Sequence, residues 1–520
     1  MVPTTSAAQL RMVLASLAIF CFSFAAQSLN LAQWEKRPKL MLVIVIDQFR
    51  ADYLTKLEGQ FLPSMKGKQI GGFRYLMEKG AYFPFAQYPT FQCMTCPGHA
   101  MILTGAPPAS TGIPLNEWFD VATGKMIYCA ENSKGELSPE RLRTSTVGDE
   151  LKMMYPDSKV VSLALKDRAA IMLAGHKADT VLWMDSKTGA WTTSAYYGKS
   201  IPTWAQTINS ELQSRKGKLV QFKGPHFAYS SQVLAKESFA FPLGTEMTVN
   251  LALTALKEEK LGLHPHTDLL TMSLSNHDYL GHQYGFGSAE IEALTLAEDQ
   301  AIAQLLQGVK AQLGSLDQVV IALTADHGVA PLVETSQKQG LAGEKVDLDK
   351  VKQTLEAHAT ATFGSAATPY WAGHKYFHYY LNPETLKARK LQAAEVLQDG
   401  VVALRGYSGL ETSFTAIQYQ TGVFPPGLLG DQLRAQYIPG LSGDLIFVPR
   451  PFVMDKDSNN VTHITGYSYD RQVPIVLLGA GLKAGLQAEN VDLLRLAPTL
   501  SFLLGTVAPA SSKAELLPVF

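Results

Sequence analysis

Residues 269–327 decide the fold, and they read LLTMSLSNHDYLGHQYGFGSAEIEALTLAEDQAIAQLLQGVKAQLGSLDQVVIALTADH. The segment begins with one apolar run, Leu269–Leu274, and ends with another, Val319–Leu323. Between the two runs, Ala289–Leu313 carries apolar side chains at helical spacing. Strand, helix and strand in this order are typical of a parallel α/β sheet with right-handed crossovers.

Three more apolar runs extend the predicted sheet: Leu40–Ile46, Val160–Leu165 and Ile475–Leu478. They alternate little in polarity, as expected of parallel strands that are buried on both faces. We therefore predict an α/β fold with a mostly parallel central sheet flanked by helices, in one catalytic domain over residues 27–520. The intervals 185–265 and 335–459 (approximate bounds) carry no strong site motif, and we expect them to form cap-like insertions around the core.

The composition favours a globular protein with a small substrate. The chain has 520 residues, of which 46% are hydrophobic and 18% are charged, and its net charge is −1. This balance argues against a nucleic acid or an anionic membrane surface as the partner. We expect a monomer.

The N-terminus has the pattern of an export signal. Arg11 precedes the apolar run Met12–Ala26, which is too short to span a bilayer comfortably. We predict a signal peptide over residues 1–26, a periplasmic or secreted protein and no stable membrane span; the alternative is an uncleaved anchor. Cys93, Cys96 and Cys129 would remain after cleavage, and an oxidising compartment would allow one disulfide among them, without indicating which pair.

Polar side chains follow four predicted strands. In open α/β sheets, ligands bind beyond the carboxyl ends of the strands. The residues at these ends are Asp47, then Lys166 and Arg168, then Asp278 and His282, and finally Asp326 and His327. Carboxylate and imidazole ligands without a thiolate suit zinc or another borderline divalent ion. The convergence of four strand ends predicts a metal and phosphate site.

Thr95 lies ahead of a helical start that we predict at Ala100–Thr104. At a helix N-terminus, it would offer a phosphate backbone N–H donors and a favourable dipole. A threonine hydroxyl is a poor nucleophile until a metal or a base removes its proton. The alternative is that Thr95 is a plain N-cap.

Taken together, these motifs resemble the alkaline phosphatase superfamily. The similarity is to the bacterial alkaline phosphatases with a threonine nucleophile, which are close to the type I phosphodiesterases and nucleotide pyrophosphatases. It runs in order through Asp47, the block Thr95–His99, Asn116, Leu165–Arg168, Asp278–His282, Thr324–Gly328, His463 with Gly466–Asp470, and Val491–Thr499.

The resemblance implies two Zn²⁺ ions per chain and assigns a role to each motif. One ion would be held by Asp278, His282 and His463, and the other by Asp47, Asp326, His327 and the hydroxyl of Thr95. The phosphoryl oxygens would be held by Asn116, Lys166 and Arg168. The implied reaction is attack by Thr95, a phosphothreonine intermediate and then its hydrolysis. The chain departs from the family after His463, where it reads Ile-Thr-Gly-Tyr and the family often has Gly-Ser-Pro-Tyr. His99 and His277 are expected to be structural rather than metal ligands.

The predicted substrate is a small phosphate monoester. A monoester presents a dianionic phosphoryl group, and the cations Lys166 and Arg168 favour that charge over the single charge of a diester. A phosphodiesterase or nucleotide pyrophosphatase with the same metals is the alternative. A sulfatase is disfavoured because Cys96-Pro-Gly-His99 lacks both the spacing and the Arg of a Cys-x-Pro-x-Arg block.

Overall fold

The computed structural model describes residues 37–520, except residues 224–227, 235–238 and 459. The predicted signal peptide, residues 1–26, lies outside the described residues. Within the described part of the chain, every helix is too short or too polar to cross a bilayer.

The strands, in chain order, are β1 Leu40–Ile46, β2 Met65–Lys66, β3 Gln69–Ile70, β4 Ala81–Gln87, β5 Glu117–Asp120, β6 Lys125–Tyr128, β7 Val160–Ala164, β8 Thr180–Asp185, β9 Ala190–Thr192, β10 Leu219–Lys223, β11 Ala228–Gln232, β12 Asp268–Leu274, β13 Val319–Thr324, β14 Glu344–Val346, β15 Trp371–Lys375, β16 His378–Leu381, β17 Leu410–Thr415, β18 Leu445–Pro449, β19 Val453–Asp455, β20 Gln472–Leu478, β21 Gly485–Leu486 and β22 Val491–Asp492.

The α-helices are α1 Asp52–Lys56, α2 Phe73–Lys79, α3 Thr95–Thr104, α4 Pro108–Thr111, α5 Val147–Met154, α6 Asp167–Ala174, α7 Thr203–Ser214, α8 Pro242–Glu258, α9 Asn276–Tyr284, α10 Ala289–Leu313, α11 Val333–Lys338, α12 Leu348–Phe363, α13 Pro383–Arg389, α14 Ala393–Ala403, α15 Ala416–Gln420, α16 Leu428–Gln436, α17 Ser468–Arg471 and α18 Leu496–Leu504. Within the described residues, Glu58–Gln60 and Leu493–Arg495 are short 3₁₀ helices.

A ten-stranded sheet forms the centre of the molecule, in the order β21-β4-β20-β13-β1-β12-β7-β8-β9, with β22 also paired to β4. Five neighbouring strands, from β13 to β8, run parallel. All residues of β1 are buried, and α6 and α8 contact the neighbouring β7 and β12. The predicted fold class, a mostly parallel α/β sheet flanked by helices, is confirmed. The predicted helix Ala289–Leu313 is also confirmed with the same bounds.

The last predicted strand is antiparallel to its neighbours, whereas a parallel strand was predicted. β20, which contains Ile475–Leu478, pairs antiparallel with both β13 and β4. The chain enters β20 at the end of the sheet where β13 finishes, since Thr324 Oγ1 donates to Pro474 O at 2.8 Å. The prediction of a parallel strand here was wrong because apolar composition indicates burial and carries no direction.

The two long intervals differ in how they meet the sheet. In the interval 185–265, α8 packs on α10 and β12 and so belongs to the layer over the sheet. The interval 335–459 contains a second, antiparallel sheet of four strands, β15-β16-β18-β17. Its buried aromatic core, which includes Trp371 and Phe447, joins one apolar cluster with Met94 and Cys96. The second interval therefore packs directly against the segment that carries Thr95.

Candidate active site

The predicted site residues gather at the carboxyl end of the parallel strands. Asp47 follows β1, Lys166 follows β7, Asp278 lies in the first turn of α9 after β12, and Asp326 follows β13. The Lys166 Nζ lies 2.6 Å from Asp47 Oδ2 and 2.5 Å from Asp278 Oδ2. Side chains from the ends of three strands are thus in direct contact.

Two groups of three side chains form candidate metal sites. The first group is Asp278, His282 and His463, and the second is Asp47, Asp326 and His327. Within each group the ligand atoms lie within 4.8 Å of one another. The two groups bring together the carboxylate and imidazole members of the two ligand sets that the resemblance implied; the Thr95 hydroxyl, expected in the second set, stays a prediction. Asp278 and His282 share one face of α9, four residues apart, and His463 comes from the loop between β19 and α17.

The three histidines all present Nε2 to their group. Nδ1 of each ring lies within hydrogen-bonding distance of a backbone carbonyl oxygen: His282 with Val461 at 2.7 Å, His463 with Cys93 at 3.0 Å, and His327 with Gly328 at 2.9 Å. Such a bond places the proton on Nδ1 and leaves the Nε2 lone pair free for a cation.

The spacing of the ligand atoms fits tetrahedral coordination. Asp278 Oδ1 lies 3.1 Å from His282 Nε2 and 3.2 Å from His463 Nε2. In the second group, His327 Nε2 lies 3.4 Å from Asp47 Oδ1 and 3.3 Å from Asp326 Oδ2. Ligands at about 2.0 Å from a tetrahedral zinc ion are roughly 3.3 Å from one another. Both groups therefore fit a zinc ion.

Buried atoms without partners also point to a cation in the second group. Asp47 Oδ1 and His327 Nε2 are both buried and have no hydrogen-bond partner among the described residues. Leaving such atoms unpaired in the interior costs about 1–3 kcal/mol each. One bound cation would satisfy both atoms, and it would also neutralise Asp326 Oδ2, which lies 3.1 Å from His99 Nδ1.

The side chains of the site, considered by themselves, form a cluster of crowded carboxylates. Burial and the neighbouring Asp326 raise the pKa of Asp47 well above its ordinary value. At Asp278, the effect of burial is outweighed by His282 and Lys166, which hold its pKa well below the ordinary value. Burial lowers the pKa of His327 to about 3, so its imidazole is neutral and available as a ligand.

Helix α3 begins at Thr95, earlier than the predicted start at Ala100. Thr95 is the first helical residue and the N-cap is Met94, which replaces the alternative that Thr95 is the cap. Gly98 brings this helix against the metal-site backbone, since a Cβ there would lie 2.4 Å from Asp326 O. A residue with a side chain would force α3 and Asp326 apart, and Thr95 with them.

Asn116 is fixed beside Thr95 by the backbone and by a disulfide. Its Oδ1 accepts from Cys96 N at 2.8 Å, and its own carbonyl accepts from Cys129 N at 3.0 Å. Cys96 and Cys129 form the disulfide, and Cys93 is a free buried thiol. The sequence left this pairing open. The bond ties the start of α3 to the hairpin β5–β6, which begins directly after Asn116.

The same hairpin contacts Arg168. The Tyr128 hydroxyl, at the end of β6, donates to Asp167 Oδ1 at 2.5 Å and lies 3.5 Å from Arg168 Nη1. Arg168 itself lies in the first turn of α6. The predicted phosphate-binding residues Asn116 and Arg168 are thus connected through one hairpin, which the sequence did not suggest.

Gln48 is a site residue that the sequence reasoning missed. Its Nε2 donates to Asp278 Oδ1 at 2.6 Å and its backbone N–H to Asp326 Oδ1 at 3.0 Å, so it holds one carboxylate of each metal group. Its φ of 65° lies in the left-handed region, which is costly for a residue other than glycine. The available signal was its position directly after Asp47 at the end of a strand.

The two histidines set aside as structural contact the protein rather than an open site. His99 lies 2.9 Å from Ser273 Oγ and 3.1 Å from Asp326 Oδ2, so it supports a ligand from behind. His277 packs edge-on against the rings of Phe49 and Tyr53.

A mostly parallel sheet with these two ligand groups at its carboxyl edge defines a member of the alkaline phosphatase superfamily. Within it, the chain belongs to the type I phosphodiesterase / nucleotide pyrophosphatase family, whose model matches residues 41–399. The predicted family resemblance is confirmed, and the chain is a hydrolase of the phosphatase and phosphodiesterase group.

Similar proteins cover nearly the whole chain. A protein of Myroides odoratus described as a calcium-transporting ATPase is 30% identical over 93% of this chain and 94% of its own length. Alkaline phosphatase PafA of Elizabethkingia meningoseptica is 28% identical over 92% of this chain and 93% of its own. A crystal structure of wild-type PafA superposes with a TM-score of 0.83, at 25% identity, covering 92% of this chain and 98% of that one.

Proposed function

We propose that this chain is an exported, zinc-dependent alkaline phosphatase that hydrolyses phosphate monoesters through a phosphothreonine at Thr95. The observation that carries the proposal is the position of Lys166, whose ammonium group contacts a carboxylate of each candidate metal group. Four similar proteins are alkaline phosphatases, at 28% to 29% identity.

The metal assignment rests on the donor set. Each group offers carboxylate oxygens and neutral imidazole nitrogens at tetrahedral spacing, without a thiolate. Asp278, His282 and His463 would hold one Zn²⁺, and Asp47, Asp326 and His327 the other, with Thr95 Oγ beside the second. The bound metals supply Lewis-acid polarisation, which lowers the pKa of a hydroxyl and stabilises the charge of the leaving oxygen.

The side chains of the protein perform the remaining tasks. Thr95 Oγ forms a bond to phosphorus as the bond between phosphorus and the ester oxygen breaks. The proton of the Thr95 hydroxyl passes to solvent water, and the departing oxygen takes up a proton and leaves as the alcohol. Asn116 presents Nδ2 as a donor to a phosphoryl oxygen, because its Oδ1 is already engaged by Cys96 N–H. Arg168 offers two parallel donors and Lys166 a compact charge. Water then attacks the phosphothreonine, which releases inorganic phosphate and restores the hydroxyl.

The charge of the site supports a monoester as the substrate. The site holds three carboxylates together with Lys166 and Arg168, and two divalent ions would add four positive charges, so the loaded site would be strongly positive. Such a site gains more from a dianionic phosphoryl group than from a singly charged diester.

Two p-nitrophenyl esters test this function. The zinc-loaded protein is expected to hydrolyse p-nitrophenyl phosphate with a higher kcat/KM than bis-p-nitrophenyl phosphate, and Thr95→Ala to abolish turnover while both metals remain bound. Thr95→Ser serves as the control that keeps a hydroxyl. Unchanged turnover in Thr95→Ala, with full metal content, would refute the mechanism.

A phosphodiesterase or nucleotide pyrophosphatase with the same site is the second candidate, and the matching family description favours it. Faster cleavage of the bis-ester, or preferential release of nucleoside monophosphate from ATP, would establish it in place of the monoesterase.

Export is supported by two features of the chain. The apolar run Met12–Ala26 after Arg11 has the length of a signal peptide, and the Cys96–Cys129 disulfide is typical of an oxidising compartment. Cell fractionation and N-terminal sequencing of the mature protein test this; an intact Met1 in a cytoplasmic fraction would contradict it.

A further inference from the structure

A strained tyrosine lies at the turn between β15 and β16. Lys375 pairs with His378, so only Tyr376 and Phe377 form the turn. Tyr376 has a φ of 52°, in the left-handed region that such turns ordinarily fill with Gly or Asn. A bulky residue in this conformation is disfavoured and persists where the surroundings hold it in place.

The side chain of Tyr376 reaches the proposed phosphate-binding residues. Its hydroxyl faces the side chain of Asn116 and lies near Arg168. Because Asn116 Oδ1 already accepts from Cys96 N, the amide group is what meets the tyrosine hydroxyl. Burial raises the pKa of Tyr376, so the hydroxyl stays protonated.

The turn is anchored to the strand that follows Asn116. Lys375 Nζ lies 2.7 Å from Glu117 Oε2, and the same ammonium group lies 4.8 Å from the centre of the Tyr376 ring. Two residue pairs further from the turn, Gly373 lies against the Phe119 ring, where a Cβ would be 3.0 Å from the nearest ring atom. The turn thus has a fixed position relative to Asn116.

We propose that Tyr376 is a positioning residue that holds the Asn116 amide in the orientation in which it binds a phosphoryl oxygen. Through this residue, the interval 335–459 completes the phosphate-binding site that the central sheet begins. The inference rests on the proposed function, in which Asn116 binds phosphate.

The test removes only the hydroxyl. Tyr376→Phe is expected to lower kcat/KM for p-nitrophenyl phosphate about tenfold and to weaken binding of inorganic phosphate, measured by calorimetry on the zinc-loaded protein, by a similar factor. Its Tm stays that of the wild type. In an Asn116→Ala background the same change has no further effect, because the residue that it positions is gone.

Two further variants separate positioning from folding. Tyr380 lies in the same hairpin, but its hydroxyl donates to Leu441 O at 3.0 Å. Tyr380→Phe is therefore expected to leave both kcat/KM and phosphate affinity unchanged. Tyr376→Asn places a residue that tolerates positive φ at the turn, so it should lose the same activity without a fall in Tm.

The outcomes distinguish this inference from the proposed function. The inference is overturned if Tyr376→Phe keeps its activity and phosphate affinity within twofold of the wild type. It is also overturned if Tyr376→Phe lowers activity by the same factor when Asn116→Ala is already present. A wild-type protein that hydrolyses neither ester refutes the proposed function alone, since weakened phosphate binding in Tyr376→Phe would still support the inference.

Discussion

At the scale of single residues, Lys166 occupies the most informative position in the site. Its ammonium group neutralises carboxylates from both candidate metal groups, and the desolvation that would lower its pKa is outweighed by Asp278 and Asp47, which raise it. The group therefore stays charged across the whole working range of pH. A permanent charge between two metal sites suits the stabilisation of negative charge as it develops on a phosphoryl group.

Replacing Lys166 should cost more for monoesters than for diesters. We expect Lys166→Ala to lower kcat/KM for p-nitrophenyl phosphate by about 100-fold, and for the bis-ester by much less, because the dianion loses the larger attraction. Steady-state kinetics on both esters measure the two changes. Lys257→Ala, whose side chain is 80% exposed, is the control. An equal loss for both esters would contradict the proposed role.

The sequence indicated the candidate ligands of the site but not the residues that hold them in place. Asp47, Asp278 and Asp326 could be found because each follows an apolar strand. Gln48 and Tyr128 could not, since their contacts depend on how strand ends and a hairpin meet in space. A glutamine or a tyrosine has no spacing rule that marks it as a support.

At the scale of elements, helix α10 carries a buried carboxyl group whose ionised form is destabilised by its surroundings. Glu298 is fully buried, neither of its carboxyl oxygens has a partner among the described residues, and burial raises its pKa well above the ordinary value. Because the folded state binds this proton more tightly than the unfolded state, the contribution of Glu298 to stability falls as pH rises above about 4.5.

Glu298→Gln should therefore stabilise the protein, and more so at higher pH. We expect a gain of about 1–3 kcal/mol in the free energy of unfolding at pH 8 and little or none at pH 5. Denaturant unfolding at both pH values measures the difference in the free energy of unfolding between the variant and the wild type. Glu258→Gln, at a site with a 42% exposed side chain, should show no such pH dependence. A difference of the same size at pH 5 and pH 8 would show that ionisation of Glu298 does not cause the gain in stability.

The disulfide between α3 and the end of β6 joins two elements of the site. The double variant Cys96→Ala, Cys129→Ala opens a link across 33 residues, which should cost about 3–4 kcal/mol of stability. The KM for monoesters should also rise, because Asn116 loses its fixed position. Thermal unfolding and steady-state kinetics measure these effects.

Reduction provides the matched comparison for the disulfide. Dithiothreitol should change the wild type and Cys93→Ala alike, because Cys93 is a free thiol. The double variant should not respond. A wild type whose KM is unaffected by full reduction would show that the link does not position Asn116.

At the scale of the whole molecule, the candidate metal ligands connect distant parts of the chain. The two groups draw on residues from Asp47 near the start of the sheet to His463 near its last long strand. Without a cation, burial and neighbouring carboxylates keep the pKa of Asp47 raised, so the metal-free fold contains unfavourable charge.

Removing the metals should therefore destabilise the entire fold. Zinc at 100 times its dissociation constant would contribute about 2.7 kcal/mol per site, so Tm should fall after chelation and recover when zinc is returned. Calorimetry with and without a chelator measures this. Magnesium is the control, since it binds these nitrogen ligands poorly. An unchanged Tm after confirmed metal removal would count against both sites.

The sequence was sufficient to predict much of the overall architecture, but not the direction of β20 or the contacts between distant segments. The parallel strands and helix α10 were predictable because burial on both faces and helical periodicity leave local patterns. The direction of β20 was not, because Ile475–Leu478 would look the same in either orientation. The sheet within 335–459 and the approach of Tyr376 to Asn116 depend on contacts between residues that are far apart in sequence.

The link between Cys96 and Cys129 also bears on when the enzyme would begin to work. A chain that is made in a reducing compartment and exported, as proposed, would carry two separate thiols until it met an oxidant. Until then the segment that carries Asn116 would lack its covalent link to α3, and the newly made protein would be a poor catalyst. Oxidation would act as the step of maturation, so that phosphorylated metabolites in the compartment of synthesis are spared and hydrolysis starts where the product phosphate is needed.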